Sequence, residues 1–548
     1  MLTWCRLRAT RLTLSASARF YQIYPFGEDE TLTKITKPQK MVERINKIQT
    51  RLELEKAKKQ SQKLRSRSSP IIVSCMKKQF NQHKGDVTKK DFSPQSLASL
   101  GWKKSQAAGD HMTFTIHGKN PALLKNAETS LKFENFELNE MLLKGLEAQG
   151  ITTPTNIQNL TIPKVLNGEH IICAAETGCG KTLAYMLPLL ELLHRYKQSM
   201  GDSEVPNAPR IIIMAPSREL VDQISGVASR LAEHMPFKLR SLCGARGTKY
   251  KILYDPKEAV DVLVTTPGIL GKMMSLGKIV SSRIQSVVLD EADTLLDDSF
   301  SSLVTKILQK LKIQGGSASK MESSTFSNVQ MLLVSATMPR GLDDIMKDFV
   351  SADCFSRITT ENLHHIMPHV PQTFIRIKGE DKAVKIVEIA KKAQTEGVPT
   401  IIFCNKSDTC VWLSNILKDL DIDNIYISGR VKEKDRLGRF ARFQEGYCDL
   451  LVCTDIGSRG LDTVRVQQVV NYEFPDFVSD YIHRTGRVGR VGSKYNGKVI
   501  SFITKKWEVE LLWQIETAAR KMSPLHNVNA NIKRKLNAII MEKSEMKV

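Results

Sequence analysis

Short apolar runs, separated by stretches with the three-to-four-residue spacing of amphipathic helices, recur from Leu131 to about Asp353. The runs at 171–174 (IICA), 211–215 (IIIMA), 262–265 (VLVT), 286–290 (SVVLD) and 331–337 (MLLVSAT) are predicted strands. They are apolar throughout instead of alternating, as strands covered on both faces must be, so the pattern predicts an α/β fold with a helix-flanked parallel sheet. A second series begins near Gln372, at 373–377 (TFIRI), 400–404 (TIIFC), 424–428 (NIYIS), 450–455 (LLVCTD), 468–472 (QVVNY) and 498–504 (KVISFIT). Between the two, residues 360–371 carry Pro368 and Pro371 and no periodic pattern, which marks a linker. The expected organisation is therefore one α/β domain at 131–359, a second at 372–505, and a cleft between them. Residues 313–327 read as a mobile Gly/Ser-bearing insert, and residues 506–548 as helix followed by a basic tail at Lys533-Arg534-Lys535.

Composition changes this picture at the N-terminal side. Net charge is +22, and residues 1–130 hold 25 Lys/Arg against 10 Asp/Glu, so +15 of it precedes the first α/β unit. That points to a polyanion partner, most simply nucleic acid. Residues 1–27 contain Arg6, Arg8, Arg11 and Arg19, several Ser/Thr and no acid, the composition of a mitochondrial transit peptide; the alternative is a basic terminus without that role. Residues 28–130 read as a basic, irregular extension with little core of its own, containing an amphipathic helix at 41–64 and a solvated charge run at 61–69. No apolar stretch reaches membrane-spanning length, so no membrane insertion is expected. The ten cysteines include no C-x-x-C pair and suit a reducing compartment. His364, His365 and His369 lie in the linker without nearby Cys or acidic ligands, so they read as ordinary linker histidines and not as zinc ligands.

Candidate chemistry centres on Ala175-Glu176-Thr177-Gly178-Cys179-Gly180-Lys181-Thr182, which follows a predicted strand and opens a helical pattern at 183–193. Gly178 and Gly180 allow the backbone to turn its N–H groups toward phosphate oxygens, Lys181 can reach β/γ-phosphates, and the Thr182 hydroxyl can coordinate Mg²⁺. Ala175 replaces the usual first glycine, so on this segment alone a Gly-rich turn stays open beside a phosphate cradle. Oxidation of Cys179 would block such a cradle, although a small tolerated side chain is the simpler reading. At 290–293 a buried run ends in DEAD, where a carboxylate can hold Mg²⁺ and its neighbour can orient or deprotonate water.

With these two segments the chain resembles the DEAD-box ATP-dependent RNA helicases of superfamily 2 from about Phe133 to Thr504. The motifs appear in order: Phe133 with GITTPTNIQ (150–158), AETGCGKT, APSREL (215–220), TPG (266–268), DEAD (290–293), SAT (335–337), IIFCN (401–405), TDIGSRGLD (454–462) and HRTGRVGR (483–490). DEADTLLD, GW at 101–102 and IMPHVPQTF look closest to the family's vertebrate mitochondrial member. The resemblance implies two tandem RecA-like domains, ATP and Mg²⁺ as cofactors, and RNA as partner. It assigns adenine recognition to Gln158 and Phe133, ribose contact to Asp462, and phosphate and Mg²⁺ roles to the 175–182 loop and Asp290. Glu291 is implied as general base, Arg487 and Arg490 as arginine fingers, and Asp293, Ser335, Thr337 and His483 as couplers of nucleotide state to domain closure. Pro216, Arg218, Gly244, Thr266, Gly268, Gly429 and Thr454 match the positions that contact RNA sugar and phosphate, contacts that carry little sequence information.

Four positions depart from the family pattern: Ile151 for an aromatic, Ile269 after TPG, Gly244-Ala245 for Gly-Gly, and Glu433 for Gln. The last three fall in RNA-binding motifs and bear on how tightly the core alone grips RNA, which the basic flanks are placed to offset. The implied activity is RNA-stimulated ATP hydrolysis with local unwinding or remodelling of structured RNA or RNP. The mitochondrial likeness extends this to ribosomal RNA and large-subunit assembly particles in the matrix, with a nuclear pool left open. The alternative is an ATP-gated RNA clamp that separates few strands.

Overall fold

A computed structural model of the chain describes residues 71–82, 97–116, 132–201, 205–243, 259–297, 300–311, 313, 329–338, 346, 349–350, 352–367, 369–431, 433–455, 463–491, 493, 495, 497–526 and 528. All lie in one compact unit, Arg65–Val548. The transit-peptide stretch, the 41–64 helix, the 61–69 charge run, the insert at 314–327, Gly244, Asp462 and the 533–535 basic tail fall outside these residues. In chain order the strands begin with β1 (Ile71–Cys75), β2 (His111–Ile116), β3 (His170–Ala174), β4 (Ile211–Met214) and β5 (Leu239–Leu242). They continue with β6 (Val262–Thr265), β7 (Ser286–Asp290), β8 (Gln330–Ser335), β9 (Phe355–Thr359) and β10 (Gln372–Arg376). The last five are β11 (Thr400–Cys404), β12 (Ile425–Ile427), β13 (Leu450–Thr454), β14 (Gln468–Asn471) and β15 (Lys498–Ile503).

The first sheet is wholly parallel, in the order β5-β6-β4-β7-β8-β3-β9. Every residue of β3, β4, β6, β7 and β8 is buried, which is why these strands read as continuous apolar runs. Helices α1 (Glu140–Ala148), α2 (Asn156–Leu166), α3 (Lys181–Met200) and α4 (Arg218–Ala232) cover one face. Helices α5 (Pro267–Ser275), α6 (Ala292–Leu295) and α7 (Ser301–Leu308) cover the other. Local sequence sets the helix starts. Ser217 accepts the Leu220 N–H at 3.2 Å to cap α4, and Pro267 sits at the first position of α5, where no N–H is needed.

The second sheet has a parallel part in the order β10-β15-β14-β11-β13-β12, with helices α8 (Asp381–Glu396), α9 (Ser407–Asp419), α10 (Glu433–Gln444) and α11 (Val478–Thr485). It also corrects the reading of residues 28–130 as irregular. β2 adds antiparallel to β10, and β1 adds antiparallel to β2, so residues of the N-terminal extension extend the second sheet by two strands. Met112 and Phe114 point into a core shared with Phe374, Phe474 and the C-terminal helix α12 (Glu508–Lys521), and Trp102, 2% exposed, joins it. A buried clasp fastens this layer. Glu516 accepts the N–H groups of Ala98 and Ser99 at 2.9 Å each and pairs with Arg520, which donates to the Phe80 carbonyl at 2.8 Å. The extension therefore closes what would otherwise be a bare sheet edge.

Candidate functional site

The 175–182 segment leaves the carboxyl end of β3 and enters α3 at Lys181, the strand–loop–helix arrangement that presents backbone N–H groups to anions. Gly178 and Gly180 hold φ of 75° and 91°, the left-handed region that glycine adopts without strain. A Cβ on Gly180 would lie 2.5 Å from Gln158 Nε2. The Lys181 ammonium donates to the Ala175 and Glu176 carbonyls at 2.8 Å each and so stays inside the loop's concavity.

Gln158 is 2% exposed; its Oε1 accepts the Thr155 N–H at 2.9 Å and its Nε2 donates to the Gly180 carbonyl at 3.1 Å. The amide thus caps α2 and braces the phosphate loop, leaving one N–H and one lone pair for a base edge. Phe133 packs edge-on to Phe136 at 6.3 Å between centroids, and with Leu143, Ile151 and Thr152 it lines a cavity of about 280 Å³. Cys179 is buried, and burial pushes its thiol pKa up, which argues for the small-side-chain reading.

Asp290 ends β7 and is buried; burial, with Glu291 beside it, raises its carboxyl to about 6, against relief from Tyr185 and Lys181. The Tyr185 hydroxyl donates to Asp290 Oδ2 at 2.9 Å and is also bonded by Thr182, so the two oxygen donors expected at a cation meet at one phenol. A hydroxyl near a buried carboxylate that has a second carboxylate beside it suits Mg²⁺ held partly through water. Glu291 stands at a left-handed φ of 52°, and its Oε2 is buried with no hydrogen-bond partner among the described residues. A left-handed residue carrying a buried, unpartnered carboxylate oxygen, next to a second buried carboxylate, marks a candidate functional position.

The second unit meets this site directly. Val491 N–H donates to the Gly178 carbonyl at 3.1 Å, and a Cβ on Gly178 would lie 2.6 Å from Arg490 Cγ. Thr177 occupies the space beside Gly486. Arg487 is buried one turn before Arg490, its Nε donating to the His483 carbonyl at 3.2 Å. Asp293 gathers the implied couplers: Thr337 Oγ1 donates to its Oδ2 at 2.5 Å, His483 Nε2 stands 3.2 Å away, and Ser335 Oγ accepts the Thr337 N–H at 3.1 Å. Burial pulls the Asp293 carboxyl upward, but His483, Thr337 and Ser335 outweigh it and hold it well below the usual carboxylate range.

Among the described residues, those matched to RNA contact sit at carboxyl ends of parallel strands. Pro216 and Arg218 follow β4, Thr266 and Gly268 follow β6, Gly429 follows β12, and Thr454 ends β13. Arg218 and Thr266 stand at the N-termini of α4 and α5, where N–H groups favour phosphate. Thr454 Oγ1 is buried with no hydrogen-bond partner among the described residues.

Residues not singled out by sequence also build the site. Arg484 is fully enclosed, forking onto Asp455 at 2.6 Å through Nε and Nη2 and reaching Asn405 Oδ1 and the Glu473 carbonyl at 2.7 Å. Arg436 of α10 stands 3.7 Å from the buried Glu219 of α4 and pairs the two units. Tyr185 is the third; its apolar helical context concealed it.

Comparison with known proteins agrees with this arrangement. The DEAD/DEAH box helicase family matches residues 155–345, and the helicase conserved C-terminal domain matches residues 381–492. Two proteins named "Probable ATP-dependent RNA helicase DDX28" are similar: the Mus musculus protein is 40% identical over 474 residues, 85% of this chain and 87% of its own. The Homo sapiens protein is 40% identical over 478 residues, 86% and 88% of the respective chains. Among solved structures, S. cerevisiae Dbp5 bound to RNA and ADP BeF3 shares the fold at a TM-score of 0.58 and 24% identity, covering 73% of this chain and 93% of its own. Mss116p bound to ssRNA and AMP-PNP does so at 0.62 and 24%, covering 74% and 80%. The chain belongs to the DEAD-box family of ATP-dependent RNA helicases, RNA-stimulated ATPases built on two RecA-like domains.

Proposed function

We propose that ATP and RNA together close the two α/β units, that closure bends one RNA strand and opens a short structured segment, and that hydrolysis reopens the units. In this cycle Lys181 and the 175–182 amides hold the phosphates, and Thr182 and Asp290 hold Mg²⁺, largely through water. Glu291 takes the proton of the attacking water, while Arg487 and Arg490 offset charge on the γ-phosphate. Phe133 and Gln158 select adenine, Asp462 holds the ribose, and Asp293, Ser335, Thr337 and His483 transmit nucleotide state. Pro216, Arg218, Gly244, Thr266, Gly268, Gly429 and Thr454 track the RNA backbone. The observation that carries the cycle is the seating of Arg490 and Val491 on Gly178, which makes the phosphate loop's surroundings depend on the position of the second unit.

The substrate we assign is mitochondrial ribosomal RNA during large-subunit assembly. Support for a matrix location is the Arg-rich, acid-free composition of residues 1–27, and support for a large RNA partner is the +15 charge of residues 1–130. The test is ATP hydrolysis by protein lacking residues 1–27, with and without RNA, beside Glu291→Gln, followed by duplex unwinding. RNA stimulation with strand separation supports the remodeller; slow hydrolysis with long-lived RNA retention and no separation replaces it by the clamp. Depletion that leaves mitochondrial ribosomal sedimentation profiles unchanged refutes the assembly role.

A further inference from the structure

The connector between the two units is bonded to three segments of the ATP site. Thr360 Oγ1 donates to Glu176 Oε2 at 2.7 Å, joining it to the phosphate loop. His369 Nε2 donates to the Gly489 carbonyl at 2.7 Å, joining it to the 483–491 segment. His364 makes the third joint. Its Nε2 accepts the N–H of Met338, the residue after Ser335-Ala336-Thr337, at 2.9 Å, and its own carbonyl accepts the Leu525 N–H at 2.9 Å. It holds a left-handed φ of 64°, a conformation histidine adopts more readily than most non-glycine residues. The ring borders a small cavity where Glu176, Thr177, Ala336, Ile482, Thr485 and Leu525 converge, so both units and the segment following α12 meet at this side chain.

An imidazole that accepts at Nε2 has a lone pair there and must be neutral. We propose that His364 is a positioning residue for RNA-stimulated hydrolysis: its neutral ring seats the end of the Ser335–Met338 segment on the connector, so the units reach the hydrolysing arrangement only with this imidazole deprotonated. The proposal rests on the closing cycle given above. Burial lowers the ring's pKa to about 4, with His365 acting in the same direction and the Asp293 carboxylate opposing both. Glu176 of the phosphate loop and the Tyr481 phenol of α11 line the same cavity, and His483 Nε2 stands 3.2 Å from Asp293 Oδ2. Taking the ordinary value near 6.5 for the ring when the units are apart, closure is undisturbed above that pH and opposed increasingly as pH falls toward 4, a roughly tenfold loss in the closing equilibrium between pH 7.5 and 5.5.

The test uses the full chain with His364→Phe, which keeps a ring without an acceptor, and His364→Gln, which restores an acceptor near Nε2. RNA-stimulated kcat is expected to fall about tenfold in His364→Phe at pH 7.5, while RNA-independent binding of a fluorescent ATP analogue stays within twofold. His364→Gln is expected to recover kcat and lack the part of the acid-side decline that the native ring causes. Every other ionisable group is the same in the two proteins, so the difference between the two profiles isolates His364. Native-like kcat and acid decline in His364→Phe, or an acid decline in His364→Gln identical to that of the native protein, overturns the proposal; the second comparison stands even if His364→Phe does not fold. A native protein without RNA stimulation refutes the closing cycle instead. In that event, distance measurements between labels on the two units in Glu291→Gln, with ATP and RNA at pH 7.5 and 5.5, decide on His364 by themselves.

Discussion

Asp290 should destabilise the folded protein at neutral pH. Its carboxyl is buried beside Glu291, and its pKa rises from 3.8 to about 6. At about 1.36 kcal/mol per unit, holding it ionised in the folded protein opposes folding by about 3 kcal/mol. The folded state binds this proton more tightly than the unfolded chain does. The contribution is therefore most favourable below about pH 4 and is lost as pH rises through about 6. Asp290→Asn removes the charge while leaving an oxygen to accept the Glu291 N–H, a bond of 2.9 Å in the native protein, and a polar group to meet the Tyr185 hydroxyl. At pH 7.5 the first unit of Asp290→Asn should melt higher by about 6–12 °C, taking roughly 2–4 °C per kcal/mol for a unit of this size. The difference should shrink to near zero at pH 4 and narrow when Mg²⁺ and ATP are added, because a bound cation offsets the same charge in the native protein. Differential scanning calorimetry across pH 4–8 reads all three. An Asp290→Asn protein that melts lower at pH 7.5, or higher by the same amount at every pH, would refute the argument that uncompensated charge sets the shift.

Three further outcomes follow from the packing. Gly178→Ala places a Cβ 2.6 Å from Arg490 Cγ at a φ of 75°, so the second unit must back away. RNA-stimulated kcat should drop about 100-fold in steady-state assays, the scale of a 1 Å misplacement at a reacting centre, and a loss under tenfold would contradict the seating of Arg490 on the loop. Glu516→Gln breaks a buried ion pair and weakens the grip on Ala98 and Ser99, with an expected loss of about 3–5 kcal/mol from the second unit. Limited proteolysis should then cut within 71–116 at least tenfold faster, and unchanged cleavage would mean that the clasp is not what holds this layer. Deleting residues 1–116 uncovers the hydrogen-bonding edge of β10 and should convert a dispersed protein into aggregates on size-exclusion chromatography with light scattering. A monodisperse product would show that the edge needs no cover.

How legible each part was in the sequence depends on how far its partners lie along the chain. The interior parallel strands could be read because burial on both faces makes them continuously apolar, as in β4 and β7. The edge strands β5 and β9 could not, because LRSL and FSRIT are only half covered and mix polar with apolar residues. β2 carried a period-two signal in Met112 and Phe114, but its partner β10 lies about 260 residues away, and the basic composition of residues 28–130 led to an irregular reading. The second use of Gln158 was accessible: Thr155-x-x-Gln158 is a capping-box spacing, and the structure puts that amide to work at the α2 N-terminus. The linker is the instructive case. Thr360, His364 and His369 showed no pattern because each bonds a different segment, namely the phosphate loop, the residue after Thr337, and Gly489. Periodicity reports one face meeting one surface. A strap that joins several surfaces in succession has no period to display, so the lack of pattern between two strongly patterned units was itself compatible with a linker bonded to both of them.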